Sequence, residues 1–219
     1  SNYNDTLTGN SGANSLNGGT GADVLTGGDG SDSYYVDNIG DVVSETNAVL
    51  ASGGTDMVNS YLAAYTLGAN VENLRLLAAG AANGTGNSLN NTLYAGAGTN
   101  VLDGGAGADT VSYTYATAGV AVGLASTVAQ ATGGSGSDTL LNIEHLAGSN
   151  YNDALTGNSG ANTLIGGLGR DVLTGNGGND IFDFNALSEM GVTGTTWDVI
   201  TDFTKGDRLD LSTLDANTG

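Results

Sequence analysis

An all-β fold, a parallel β-roll or β-solenoid of short stacked coils, is what this sequence predicts. Three observations carry the prediction. Aspartate or asparagine recurs every nine residues in three separate blocks. Glycine, 38 of 219 residues, clusters just before each of these positions, while proline and cysteine are absent. One large apolar residue follows each Asp or Asn by two positions.

The first block has Asp5, Asn14, Asp23 and Asp32; the second has Asn91, Asn100 and Asp109; the third has Asp153, Asn162, Asp171 and Asp180. The clearest units read Gly18-Gly-Thr-Gly-Ala-Asp-Val-Leu-Thr26 and Gly166-Gly-Leu-Gly-Arg-Asp-Val-Leu-Thr174. A longer repeat lies over these, since residues 1–16 match 149–164 at 14 of 16 positions. Glycine accepts positive φ and close backbone approach, so about six residues can make a tight turn. The remaining three, with an apolar centre pointing inward, make a short strand. Turn plus strand is half a coil, so two units close one coil of about 18 residues, stacked about 4.8 Å above the last.

Turns of like phase therefore lie 18 residues apart. Asp5 stacks with Asp23, Asn14 with Asp32, Asp23 with Asp41, Asn91 with Asp109, Asp153 with Asp171 and Asn162 with Asp180; the same spacing would set Asp198 on Asp180. Asp23 is then shared by two steps. Two carboxylates roughly 5 Å apart repel by about 0.8 kcal/mol in water and about 3 kcal/mol at an effective dielectric of about 20. A cation between them reverses the sign. The turns add backbone carbonyls, and hard oxygen donors in a flexible cage suit Ca²⁺ better than Zn²⁺ or Mg²⁺.

Charge points the same way. There are 23 acidic and 4 basic residues, for a net charge of −19. That excludes a nucleic-acid binder working through phosphate contacts and disfavours anionic membrane surfaces. Without cysteine there are no disulfides or thiolate metal sites. No apolar run reaches the roughly 18 residues of a membrane span. The chain opens inside a repeat with no signal peptide, so it reads as a piece of a longer protein.

These residues resemble the RTX (repeats-in-toxin) family, whose nonapeptide is Gly-Gly-x-Gly-x-Asp-large-x-x. Similar modules end serralysin-type proteases, type-I-secreted lipases, alginate epimerases and RTX adhesins. Trp197-Asp-Val-Ile-Thr-Asp-Phe-Thr-Lys-Gly-Asp-Arg-Leu-Asp-Leu-Ser212 is similar to the family's segment after the last repeats. The resemblance implies about five to seven Ca²⁺, each held by carbonyls and the sixth-position side chain of two turns one coil apart. Carried over, the first set is Ser1, Tyr3, Asp5, Gly18, Thr20 and Asp23; the second is Asn10, Gly12, Asn14, Gly27, Asp29 and Asp32. The third is Gly19, Gly21, Asp23, Val36, Asn38 and Asp41; the fourth is Asn87, Leu89, Asn91, Gly104, Ala106 and Asp109. Towards the end come Ser149, Tyr151, Asp153, Gly166, Leu168 and Asp171, then Asn158, Gly160, Asn162, Gly175, Gly177 and Asp180, with Asp198 as a further ligand. Asn at 14, 91, 100 and 162 removes charge and weakens those sites. Asn100 faces Ala118 at 18 residues, which makes a site there doubtful. Gly133-Gly-Ser-Gly-Ser-Asp138 fits the motif but has Val120 and Thr156 at that spacing, so it reads as a turn without a full ion.

The expected organisation is a first repeat block (1–41), connecting strands (42–85), a second block (86–112), further connecting strands (113–147), a third block (148–183) and a capping segment (184–219). Strands are expected at Asp56-Met-Val-Asn-Ser-Tyr61, Val71-Glu-Asn-Leu-Arg-Leu-Leu77, Val120-Ala-Val-Gly-Leu124 and Leu140-Leu-Asn-Ile-Glu-His-Leu146. The alanine and glycine run from Ala78 to Gly86 reads as turns. Continuous stacking through these connectors is the economical arrangement, because two coils are too few to stand alone.

Nothing in the sequence calls for catalysis. The lone histidine, His145, sits in an apolar segment with no second histidine for zinc. No Gly-x-Ser-x-Gly elbow or Gly-x-Gly-x-x-Gly fingerprint is complete. Trp197 and Phe203 are expected to cap the solenoid. Tyr34, Tyr35, Tyr61, Tyr65, Tyr113 and Tyr115 serve the core or rungs, with a glycan surface as the alternative. The expectation is a monomeric, non-catalytic calcium-binding module, secreted by the type I route. It would fold on Ca²⁺ outside the cell and support the folding and stability of a secreted bacterial protein. The alternatives are a carbohydrate-binding or adhesion module, or the tail of a hydrolase or epimerase whose catalytic domain lies upstream.

Overall fold

A computed structural model describes residues 1–47, 53–191 and 196–214. Parts of the first connecting stretch (48–52) and of the capping segment (192–195 and 215–219) lie outside the described residues. The named elements are all strands. The first block and the start of the connector carry β1 (Thr6–Thr8), β2 (Ser15–Asn17), β3 (Val24–Thr26), β4 (Ser33–Val36) and β5 (Val42–Ser44). The first connector and second block carry β6 (Met57–Ser60), β7 (Ala64–Thr66), β8 (Asn73–Leu76), β9 (Ala82–Thr85), β10 (Thr92–Tyr94), β11 (Asn100–Asp103) and β12 (Thr110–Ser112). Next come β13 (Ala121–Gly123), β14 (Gln130–Gly133), β15 (Gly136–Leu141) and β16 (His145–Ala147). The third block and the tail add β17 (Ala154–Thr156), β18 (Thr163–Ile165), β19 (Val172–Thr174), β20 (Ile181–Asp183), β21 (Val199–Ile200) and β22 (Arg208–Asp210).

The two sides of the solenoid differ. One is a single ten-stranded parallel sheet, β2-β4-β6-β8-β10-β12-β16-β18-β20-β22, running through blocks and connectors alike. The other is broken into β1-β3-β5, β7-β9-β11-β15-β14 and β13-β17-β19-β21. Three-residue strands suffice because only the middle residue turns inward. Leu16, Tyr34, Val58, Leu74, Leu93, Val111, Leu146, Leu164 and Phe182 pair in register down the long sheet and are all buried. Opposite them stand Leu25, Leu102, Leu140, Leu155 and Leu173. Each rung covers the apolar face of the next, which an isolated coil could not do.

The connectors depart from expectation in three places. The segment 140–146 is not one strand: β15 ends at Leu141, Asn142 turns the chain at φ 51°, and β16 begins at His145. Ala78 to Gly86 is not only turn, because β9 lies inside it and pairs with β11. Gly84 faces inward there, where a Cβ would come within 3.0 Å of Leu74 Cδ2, so the small residue makes room for its neighbours. The sheet is also not wholly parallel, since β14 and β15 form an antiparallel hairpin. At the C-terminal end Phe203 rests on Phe182 with ring centroids 6.0 Å apart, while Trp197 is 58% exposed.

Candidate metal-binding turns

Most coil steps are closed by the same hydrogen bond. The backbone N–H of one sixth-position residue donates to the side-chain oxygen of the next in the stack. Asp5 N–H reaches Asp23 Oδ1 at 2.8 Å, and Asp23 N–H reaches Asp41 Oδ1 at 2.9 Å. Asn14 donates to Asp32, Asn91 to Asp109, Asp153 to Asp171 and Asn162 to Asp180, at 2.7–2.9 Å and all 18 residues apart. The six stacked pairs expected from the spacing are therefore brought together.

Where the chain loops out between turns, the stacking step lengthens but the bond persists. Asp171 N–H donates to Asp198 and Asp180 N–H to Asp207, each 27 residues on. Asp198 thus stacks on Asp171 rather than Asp180, a step nine residues longer than the regular 18. Asn100 finds its partner not at Ala118 but at Asp138, 38 residues on. Val120 N–H donates to Asp153 Oδ1.

The long sheet carries a ladder with members that the nonapeptide pattern misses. Every one of its strands is immediately preceded by Asn14, Asp32, Asp56, Glu72, Asn91, Asp109, Glu144, Asn162, Asp180 or Asp207. Asp32 N–H donates to Asp56 Oδ1 at 2.7 Å, Asp56 N–H to Glu72 Oε2 at 2.8 Å and Asp109 N–H to Glu144 Oε2 at 2.8 Å. Asp56, Glu72, Glu144 and Asp207 lie outside the recognisable repeats. One signal could have found them: each stands two residues before the central apolar residue of its strand, Val58, Leu74, Leu146 and Leu209, the first three of them buried. Asn70 and Asn142 take positive φ two residues before Glu72 and Glu144, the place that Gly107 fills before Asp109.

The asparagines have a second use. Asn91 Nδ2 donates to the carbonyls of Val71 and Glu72, Asn100 Nδ2 to Ala82 and Asn162 Nδ2 to Glu144. At these three positions the coil below is a connector, and the amide bonds its backbone directly. His145 is an ordinary member of β16, its Nδ1 accepting the Thr163 N–H.

At five of the stacked aspartates one carboxylate oxygen serves the step and the other is left over. Oδ2 of Asp32, Asp109, Asp171, Asp180 and Asp198 is buried without a hydrogen-bond partner. Such an atom costs about 1–3 kcal/mol, more when charged. Those of Asp32, Asp109, Asp171 and Asp180 lie against the first glycine of their own turn: a Cβ on Gly166 would lie 2.4 Å from Asp171 Oδ2. A Cβ on Gly148 would meet both Asp153 Oδ2 and the Gly166 carbonyl oxygen at 2.4 Å. The glycines thus leave room where carboxylate and carbonyl oxygens converge. Hard anionic and carbonyl donors around a small space fit Ca²⁺. Two others are partnered: Thr132 Oγ1 donates to Asp138 Oδ2 at 3.4 Å, and the Ser149 N–H and hydroxyl donate to Asp153 Oδ2 at 2.6 and 3.1 Å.

Burial without counter-charge shows in the acidities. Among the described residues no lysine or arginine side chain forms an ion pair with a carboxylate. Burial pushes Asp171 up to about 7, helped by the charges of Asp198 and Asp153. Glu45 rises to about 7, and Asp56 and Asp138 to about 6, again mainly through burial. Asp32, Asp109, Asp153, Asp180 and Asp198 are raised for the same reason.

A β-roll whose glycine turns present paired carboxylates and carbonyls one coil apart defines a class of calcium-binding solenoid. The family described as RTX calcium-binding nonapeptide repeat (4 copies) matches residues 1–34, 85–113 and 144–186. The three blocks are RTX repeats, and the chain is a calcium-binding-repeat β-roll. No curated protein matches the chain as a relative.

Proposed function

We propose that the chain is a calcium-responsive module that stays unfolded at low Ca²⁺ and folds around the ion after export from the cell. The observation that carries this reading is the row of buried, unpartnered Oδ2 atoms on Asp32, Asp109, Asp171, Asp180 and Asp198. Left without cations, each is a buried anionic oxygen with nothing to stabilise it, and the net charge of −19 adds repulsion along the stack. The ions are held between Asp5 and Asp23, Asp23 and Asp41, Asn14 and Asp32, Asn91 and Asp109, Asp153 and Asp171, and Asn162 and Asp180, with turn carbonyls completing each cage. The pair Asp171 and Asp198 replaces the expected Asp180 and Asp198. Secretion into a compartment where Ca²⁺ is plentiful gives the switch its use, and the module then supports the folding of whatever it is joined to.

Far-ultraviolet circular dichroism tests this reading. With Ca²⁺ in the millimolar range the chain should show a full β spectrum, and excess EGTA at neutral pH should abolish most of it reversibly. A β spectrum that is complete in EGTA and unchanged by Ca²⁺ would defeat the proposal.

A glycan-binding role has one observation in its favour. Arg75 lies 3.6 Å over the ring of half-exposed Tyr115, and Tyr94 stands 5.6 Å from the same ring. Tyr34 and Tyr113, by contrast, are buried in the core and unavailable to a glycan.

A further inference from the structure

Beyond the nonapeptide sites, the structure holds a three-carboxylate cluster where the first block meets the connector. Asp32, Glu45 and Asp56 are all buried, and one oxygen of each lies within 4.8 Å of the other two. That separation is about twice a Ca²⁺–oxygen bond of 2.3–2.6 Å, so a single ion can touch all three. Asp56 reaches the cluster through a 24-residue stacking step. Glu45 follows β5, on the opposite side of the coil, and belongs to no nonapeptide. Its backbone carbonyl is fixed by Asn70 Nδ2 at 3.1 Å.

The cluster has oxygens to spare. Asp32 Oδ2 and Glu45 Oε2 are buried without partners, with Asp32 1% and Glu45 7% exposed. The Tyr34 hydroxyl donates to Glu45 Oε1. All of these groups surround Gly27, where a Cβ would meet Asp32 Oδ2 and Tyr34 Oη at 2.0 Å and Glu45 Oε1 at 2.6 Å. Three anionic donors beside a glycine-sized space, with no cationic side chain among them, make a site for a hard divalent cation.

We propose that Asp32, Glu45 and Asp56 bind one Ca²⁺, with Glu45 closing the last turn of the first block in place of a further repeat. The ion locks the block to the connector through Asp56 and so carries stacking across the junction. This deepens the calcium-responsive reading and rests on it for the identity of the ion; it shares Asp32 with the Asn14–Asp32 step and adds Glu45 and Asp56, which belong to no nonapeptide.

Isothermal titration of the whole chain with Ca²⁺ tests it, comparing wild type with Glu45→Gln. The variant should bind one ion fewer per chain and keep the rest. It should also hold more β-structure than wild type in EGTA, since it removes one buried charge. Unchanged stoichiometry and affinity in Glu45→Gln, with Ca²⁺ still bound elsewhere, would overturn this site alone. A wild-type chain that takes up no Ca²⁺ would overturn the broader reading as well. Should Glu45→Gln fail to fold, Tyr34→Phe decides with Tb³⁺ as probe. Its tyrosine-excited Tb³⁺ emission should fall at unchanged stoichiometry, and unchanged emission would place no ion beside Tyr34.

Discussion

Replacing Asp171 with alanine should raise the Ca²⁺ concentration needed to fold the third block by at least about tenfold, or about 1.4 kcal/mol. Asp171 is fully buried and stands in the middle of a column, between Asp153 and Asp198. Its Oδ1 accepts the Asp153 N–H at 2.8 Å and its Oδ2 is free for an ion. Alanine therefore leaves an inward N–H without an acceptor and removes an anionic donor. Asp171→Asn should fall between, keeping an acceptor but losing the charge. Asp29→Ala is the matched control: Asp29 is exposed, its side chain accepts the Asn47 amide at 2.6 Å, and as a ligand it would lend its backbone carbonyl alone, so its midpoint should move less than about twofold. Calcium titration followed by circular dichroism reads all three. Equal midpoints for Asp171→Ala and Asp29→Ala would refute the assigned role. The spacing alone singled out Asp23 as the shared residue, but Asp32, Asp171 and Asp180 occupy equivalent double positions.

Without Ca²⁺, the chain should regain β-structure as the pH falls from 8 to 5. Asp171 and Glu45 have acidities raised to about 7, and Asp56 and Asp138 to about 6. In the unfolded chain these groups titrate near their ordinary values of about 4. A carboxylate whose folded pKa is raised binds its proton more tightly in the fold. Its contribution is complete below about pH 4 and is lost as the pH climbs through 6 and 7. For one group raised by about three units the limit is about 4 kcal/mol, before coupling among neighbours reduces it. The same linkage makes protons compete with Ca²⁺ for the folded turns, so the folded chain should bind Ca²⁺ less tightly on acidification even as the ion-free chain gains structure. Circular dichroism of the chelator-treated chain between pH 8 and 5 checks this. Ion-free β-structure that is constant or decreasing toward pH 5 would contradict it.

The regular part of this fold was readable because its chemistry is local. A glycine turn and one inward side chain need only nine residues, and the 18-residue stack follows from closing a coil. The exceptions depend on chain that leaves the coil and returns. Such an excursion adds residues without adding height, so the stacking survives while the period does not. That is why an 18-residue period puts Asp198 on Asp180 although it stacks on Asp171, and why the same period misses Asp138 as the partner of Asn100. Glu72 and Glu144 were passed over for a different reason. Asn70 and Asn142 do a glycine's work in those turns, so the repeat's most visible letter is missing. The relation that persists throughout is an acid or asparagine two residues before the central apolar residue of a strand. Glu45 obeys neither rule, and only the folded arrangement brings it beside Asp32 and Asp56.

The account stands or falls on ions between stacked turns. The most direct measurement is a crystal structure of the chain grown with Ca²⁺, inspected at the step between Asp153 and Asp171. The account predicts an ion about 2.3–2.6 Å from a carboxylate oxygen of each residue and from the Gly166 carbonyl oxygen. Density at that position that refines only as water, with Asp171 Oδ2 still unpartnered in millimolar Ca²⁺, would contradict it.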